Sequence, residues 1–169
     1  MEISNKLIGK SFKFGDDIST DLIAPGRYFH LRSNLPELAK HVLEDADPEF
    51  AKKVNTGDFV VGGKNFGLGS SREHAPTIIK LAGVGAVLAK SFARIFYRNC
   101  INVGLPALKC DTDKIEEGDT LEINLKSGII LNKDKDIEIK FNPLPDVMIK
   151  ILSDGGLAKH IKKNKGFNL

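Results

Sequence analysis

Hydrophobic positions along this chain follow two rhythms. Phe59-Val60-Val61, Ala86-Val87-Leu88-Ala89 and Leu105-Pro106-Ala107-Leu108 are short unbroken apolar runs, which predict strands covered on both faces. Between and before them the spacing is helical. Leu35, Leu38, Ala39, Val42 and Leu43 share one face, with Asn34 a candidate cap and Pro36 at an early position that tolerates it. Residues 48–54 predict a second short helix. Residues 75–82 predict a third, ending at Gly83, a residue suited to the position after a helix. Residues 91–100 predict a fourth, with Ser91 as its candidate cap. Weak alternation over residues 9–14 predicts a first strand. From Thr120 the rhythm becomes strict alternation. Residues 120–125, 127–131 and 137–141 predict an antiparallel meander with one wet face, followed by helices over 146–152 and 157–161. The sum is a single layered α/β domain with a mixed sheet, spanning residues 1–169.

Two stretches interrupt the rhythm. The first is Gly63-Lys64-Asn65-Phe66-Gly67-Leu68-Gly69-Ser70-Ser71-Arg72-Glu73-His74, set between a strand and a helix. Gly67 and Gly69 permit positive φ and close approach to a ligand. Ser70 and Glu73 have capping-box spacing. A helix start with Arg72 beside it suits a carboxylate or phosphate. The P-loop and the dinucleotide fingerprint both fail here, for want of a lysine after the second glycine and of a third glycine. His74 by itself reads as a packed or surface histidine. The second stretch runs from Gly15 to Asn34. Gly15-Asp16-Asp17-Ile18-Ser19-Thr20-Asp21 holds three aspartates without the glycine of a calcium loop. It reads as an Asx turn, or as a carboxylate that holds an arginine in place. Residues 22–34 then show no clean period, and so predict a loop of functional length.

Composition narrows the class. The 169 residues carry a net charge of +3, with 41% apolar and 28% charged positions, ordinary for a soluble globular protein. Two Tyr, no Trp and no basic stripe argue against nucleic-acid binding. Residues 1–5 lack the layout of a secretory signal, and the longest uncharged stretches are far too short to span a membrane. The cytoplasm is therefore the expected compartment. Arg94 and Arg98 lie four apart on one helical face, where like charges repel unless an anion or an acidic surface meets them. Cys100 and Cys110 form no C-x-x-C motif and are too few for an iron–sulfur cluster.

Three motifs, residues 15–21, 63–74 and 90–99 (Lys90-Ser91-Phe92-Ala93-Arg94-Ile95-Phe96-Tyr97-Arg98-Asn99), occur in an order that resembles the aconitase family. The chain as a whole is similar to its separately encoded small subunits, of the 3-isopropylmalate dehydratase and homoaconitase type. The resemblance implies a three-layer swivelling β/β/α domain, like the mobile last domain of single-chain aconitase. It implies a larger partner chain that bears a [4Fe–4S] cluster, in a heterodimer or heterotetramer, with no cofactor or metal in this chain. The implied reaction is loss and re-addition of water on a small hydroxy-dicarboxylate. By resemblance Ser70 is the proton-abstracting base, and Arg72 binds a substrate carboxylate. Ser71 supports the turn and Asp21 is an acidic residue of the site. Tyr28, Phe29, His30, Leu31 and Arg32 sit where the family reads the distal group of the substrate. That loop fits two readings. Arg32 binds a third carboxylate, as in a homoaconitase or aconitase-like enzyme, or Phe29 and Leu31 meet a branched alkyl group. The isopropylmalate isomerisation of leucine biosynthesis is the leading expectation; methyl- or dimethylmalate dehydration is a close relative. A stand-alone anion- or phosphate-binding module is the alternative of another class.

Overall fold

The structure, a computed structural model, describes residues 5–166. Seven strands form one mixed sheet: β1 Lys6–Lys13, β2 Phe59–Val61, β3 Ala86–Ala89, β4 Ala107–Lys109, β5 Thr120–Asn124, β6 Ile129–Asn132 and β7 Ile137–Lys140. Their order is β4-β3-β2-β1-β5-β6-β7. Strand β1 joins two half-sheets. Its second half, Ser11–Lys13, pairs parallel with β2, while Lys6–Lys10 pairs antiparallel with β5. The parallel strands connect through helices, and β5–β7 is the meander expected from the alternating pattern.

Period-two alternation within the apolar runs assigns side chains to two cores. Phe59, Val61, Ala86, Leu88 and Leu108 pack with Leu121, Ile123, Ile130, Ile139 and Phe141, so the antiparallel half curls over one face of the parallel half. Val60, Val87, Ala89 and Ala107 point the other way and meet the helices. These are α4 His74–Leu81 and α5 Arg94–Val103, with the short α1 Thr20–Ile23, α2 Leu35–Ala39 and α3 Phe50–Lys53. The result is a sheet, a second sheet layer and a helical layer: the β/β/α arrangement. Helices α6 Asp146–Ser153 and α7 Leu157–Asn164 close the chain and pack on α5.

Four local expectations need correction or trimming. The stretch read as an aperiodic loop holds α1 and a 3₁₀ turn, Gly26–Leu31. Aromatic packing of Tyr28 on His41, with ring centroids 3.8 Å apart, orders what no repeat announces. The helix expected over 35–43 stops at Ala39; turns carry the chain on, and Leu43 adopts φ +56° as its N–H reaches Ile23 O at 3.0 Å. Ser91 does not cap α5, whose cap position is Ala93; the Ser91 hydroxyl instead accepts the Asn65 N–H at 2.8 Å. Ser70 and Glu73 make no capping box. Glu73 is itself the cap residue of α4, without a side-chain bond, and Ser70 lies in the loop before it. The pattern matched, but the helix starts too late for Ser70 to reach it.

Two measurements check this packing. Gly67 has φ +84°, and a methyl group there would lie 2.1 Å from the Phe96 ring. Gly67→Ala combines left-handed strain with overpacking, and is expected to cost roughly 2–4 kcal/mol in urea-induced unfolding. At the C-terminal end, hydrogen bonds from Lys163 and His160 hold the Asp154 carboxyl down from 3.8 to about 2. A depressed carboxylate pKa contributes stability above its unfolded value and loses it as the pH falls through the folded value. Unfolding free energy is therefore expected to decline between about pH 4 and pH 2, and less steeply in Asp154→Asn, as read by denaturation at each pH.

Candidate active site

The glycine stretch is held by backbone geometry on both flanks. Asn65, Gly67 and Gly69 all take positive φ, at +58°, +84° and +108°. This zigzag lets the loop exchange main-chain hydrogen bonds with the turn after β1. Gly63 N donates to Gly15 O at 3.0 Å, and Asp17 N to Lys64 O at 2.8 Å. Gly67 N donates to Ile18 O at 2.7 Å, and Thr20 N to Leu68 O at 2.8 Å. Asp16 Oδ1 accepts from Lys64 N, and Asp17 Oδ1 from the Asn65 amide. On the other flank, Phe66 N donates to Ser91 O, and Ala93 N to Phe66 O. Phe66 itself is fully buried, against Phe92 and Phe96. The aspartates of residues 15–21 thus bond loop backbone and side chains.

This interlock brings Asp21 and Arg72, distant in sequence, into contact. Arg72 Nη1 donates to Asp21 Oδ1 at 3.0 Å and to Ala24 O at 2.7 Å. Asp21 Oδ1 also accepts the Gly26 N–H at 3.1 Å. The Arg72 side chain is three-quarters buried while Asp21 is mostly exposed, so the pair contributes little stability. Its effect is positional: both bonds use Nη1, and the rest of the guanidinium fork stays available to an anion. Ser70 and Ser71 are exposed. The Ser70 hydroxyl lies 3.3 Å from the hydroxyl of Thr20, which is buried at the start of α1.

Phe29, Arg32 and Ser70–His74 line one open groove. The Arg32 guanidinium carbon lies over the Phe29 ring, 4.2 Å from its centroid, and Nη1 donates to Phe29 O at 3.2 Å. The loop residues singled out from sequence therefore divide. Phe29 and Arg32 reach the groove. Tyr28 and Leu31 pack against the helical core. His30 is exposed outside the groove. Arg27 turns away to Glu44 and Asp45. Thr20, not singled out from the sequence, contacts Ser70, and His74, read as a packed or surface histidine, forms part of the groove wall, its ring centroid 6.4 Å from that of Phe29. Only the first turn of α4, which places His74 beyond Arg72, carried a signal for either.

Burial pushes the His74 imidazole down from 6.5, and the cations of Arg72 and Arg32 push the same way. It stands neutral beside them at pH 7, able to accept or donate one hydrogen bond. The cysteines differ in kind. Both thiols are free and buried, and burial raises Cys100 well above its ordinary range and Cys110 to about 12. Neutral thiols are poor metal ligands. Among the described residues no three His, Cys, Asp or Glu side chains gather to hold a metal ion, and no helix is long and apolar enough to cross a membrane.

The aconitase C-terminal domain family model matches residues 22–113, more than half of the chain. A 3-isopropylmalate dehydratase small subunit of Archaeoglobus fulgidus is 65% identical over 94% of this chain and 96% of its own length. One from Thermotoga maritima is 59% identical over 94% and 96%. The solved structure of a 3-isopropylmalate dehydratase from Methanocaldococcus jannaschii superposes with a TM-score of 0.90, at 47% identity and 95% coverage of each chain.

Histidine resonances provide a direct check on the site. The His74 ring is expected to titrate below 6.5 in proton–nitrogen correlation spectra. Arg72→Gln should raise that midpoint, because one of the cations opposing protonation is gone. A midpoint at or above 6.5 in the unmutated chain would contradict the burial of the ring.

Proposed function

We propose that this chain, which belongs to the family of aconitase C-terminal domains and 3-isopropylmalate dehydratase small subunits, is one half of a two-chain hydro-lyase. The reaction interconverts 2-isopropylmalate and 3-isopropylmalate by loss and re-addition of water. The observation that carries the reading is local. Ser70 and Arg72 open onto the same groove, and Arg72 is held in place by Asp21 and Ala24 O.

Within this reading Arg72 takes a substrate carboxylate with the part of its fork that Asp21 leaves free. Ser70 accepts the proton from the carbon next to a carboxylate. A serine oxygen is a weak base, so the step needs positive potential and a dry site. Arg72 supplies the potential from this chain, against the Glu73 carboxylate that lines the same groove, and neutral His74 adds no charge. The groove as it stands is open to water, and closing it is the task of the larger partner chain. A [4Fe–4S] cluster on that partner, when bound, supplies a Lewis acid for the departing hydroxyl.

The Phe29 side of the groove favours an alkyl substituent over a third carboxylate. Phe29 is 48% exposed, an apolar surface at the groove rim. Arg32 rests over the Phe29 ring and bonds Phe29 O through Nη1 alone, so the preference is carried by the apolar Phe29 surface.

Reconstitution with the cluster-bearing chain tests these roles. Ser70→Ala is expected to lower kcat by about 10²–10⁴-fold while assembly, followed by gel filtration, is unchanged. Near-normal turnover would remove Ser70 as the base. Arg72→Lys loses the planar fork and is expected to lower kcat/KM roughly 10- to 150-fold. In a substrate panel, isopropylmalate should exceed homocitrate and citrate in kcat/KM; the reverse order would reassign Arg32 to a third carboxylate.

A further inference from the structure

A second cavity, of about 680 Å³, shares no residue with the Ser70 groove. It lies where the curled sheet fails to close. One wall is β4 and Cys110, at one edge of the sheet; another is Lys140 to Leu144, leaving β7 at the opposite edge. The segment from Lys90 through the first turn of α5 completes it.

The charge of this lining is one-sided. Lys90, Arg94, Lys109 and Lys140 all contribute, and no Asp or Glu does. Lys90 is paired with Asp113 at 2.7 Å, just outside the lining. Arg94, Lys109 and Lys140 are exposed cations that no acidic side chain meets among the described residues. Arg94 also stands in the first turn of α5, which has no acidic residue there and no capping side chain. A cation is the wrong sign for that end of a helix, so an anion would relieve two repulsions at once. Behind the charges lie Phe92, Tyr97, Phe141 and Leu144, together with the Cys110 thiol, which is neutral. A cavity of this volume, with aromatic side chains and cations in one lining, has the anatomy of a small-molecule site.

We infer that this cavity binds a small amphipathic anion: a carboxylate, sulfonate or phosphate head on an apolar body. The cations at the rim select the head, and the aromatic floor selects the body. A bare inorganic anion would leave the floor wet, and a neutral amphiphile would leave the cations unmet. Such a ligand would touch Ser91 and Phe92, whose other contacts hold the back of the glycine loop.

The test uses 1-anilinonaphthalene-8-sulfonate as a fluorescent probe, titrated into the full chain and into its complex with the large subunit. The expected result is one saturable site in both. Octanoate should displace the probe, with octanamide and inorganic phosphate each at least about tenfold weaker. The double variant Lys109→Glu/Lys140→Glu, at two exposed positions, should weaken probe binding roughly tenfold or more. Its circular dichroism should be unchanged, and Ser70→Ala should bind like the parent chain. Equal displacement by octanamide would overturn the proposal, as would probe binding indifferent to the charge reversals. Loss of the site on assembly would overturn it too, because the cavity would then be a contact surface for the partner chain.

Discussion

Everything at the candidate site depends on one backbone interlock. The turn after β1 and the loop after β2 exchange four main-chain hydrogen bonds, between residues that lie about fifty positions apart in the chain. Each such bond contributes only about 0.5–1.5 kcal/mol net, but together they set the register of two otherwise irregular segments. Positive φ at Asn65, Gly67 and Gly69 is what lets the second segment present its N–H and C=O groups alternately to the first. Phe66, buried beneath, turns the loop into part of the core rather than a surface excursion. Slip that register by one residue and Asp21 no longer reaches Arg72.

In the proposed reading, the site this produces is a fixed half rather than a whole. Its arginine is oriented and partly desolvated, while its serines remain in water. In water the attraction between a guanidinium and a carboxylate is weak, and a serine oxygen has no tendency to lose its proton. The same groups in a closed, dry space interact several times more strongly. Rigid preorganisation in this chain and exclusion of water by a second are therefore complementary contributions.

The sheet has a comparable division of labour. Strand β1 belongs to both half-sheets, pairing parallel through one end and antiparallel through the other. That lets the meander fold over the parallel strands and bury Phe59, Val61 and Leu88 from the face the helices leave open. The curl stops short of a closed barrel. The two edge strands are left facing a cationic recess instead of each other, and the recess borders the same Lys90–Arg94 segment that braces the glycine loop.

Much of this was legible in the residues. Unbroken apolar runs marked strands buried on two faces, strict alternation marked the meander, and the glycine–serine–arginine stretch marked a strand–loop–helix turn. These signals are local, because side-chain period reports directly on which faces are covered. The aromatic 3₁₀ turn was not legible, since Tyr28 is ordered by His41 and no repeat encodes that stacking. Nor were the true role of Ser91, the absence of a bond between Ser70 and the start of α4, or the places of Thr20 and His74 beside Ser70 and Phe29. The sequence by itself determined which elements form and which chemical groups are on hand. Only the tertiary structure decided which of those groups meet, because a hydrogen bond between residues fifty positions apart depends on the register of the whole sheet and leaves no periodic trace in the chain.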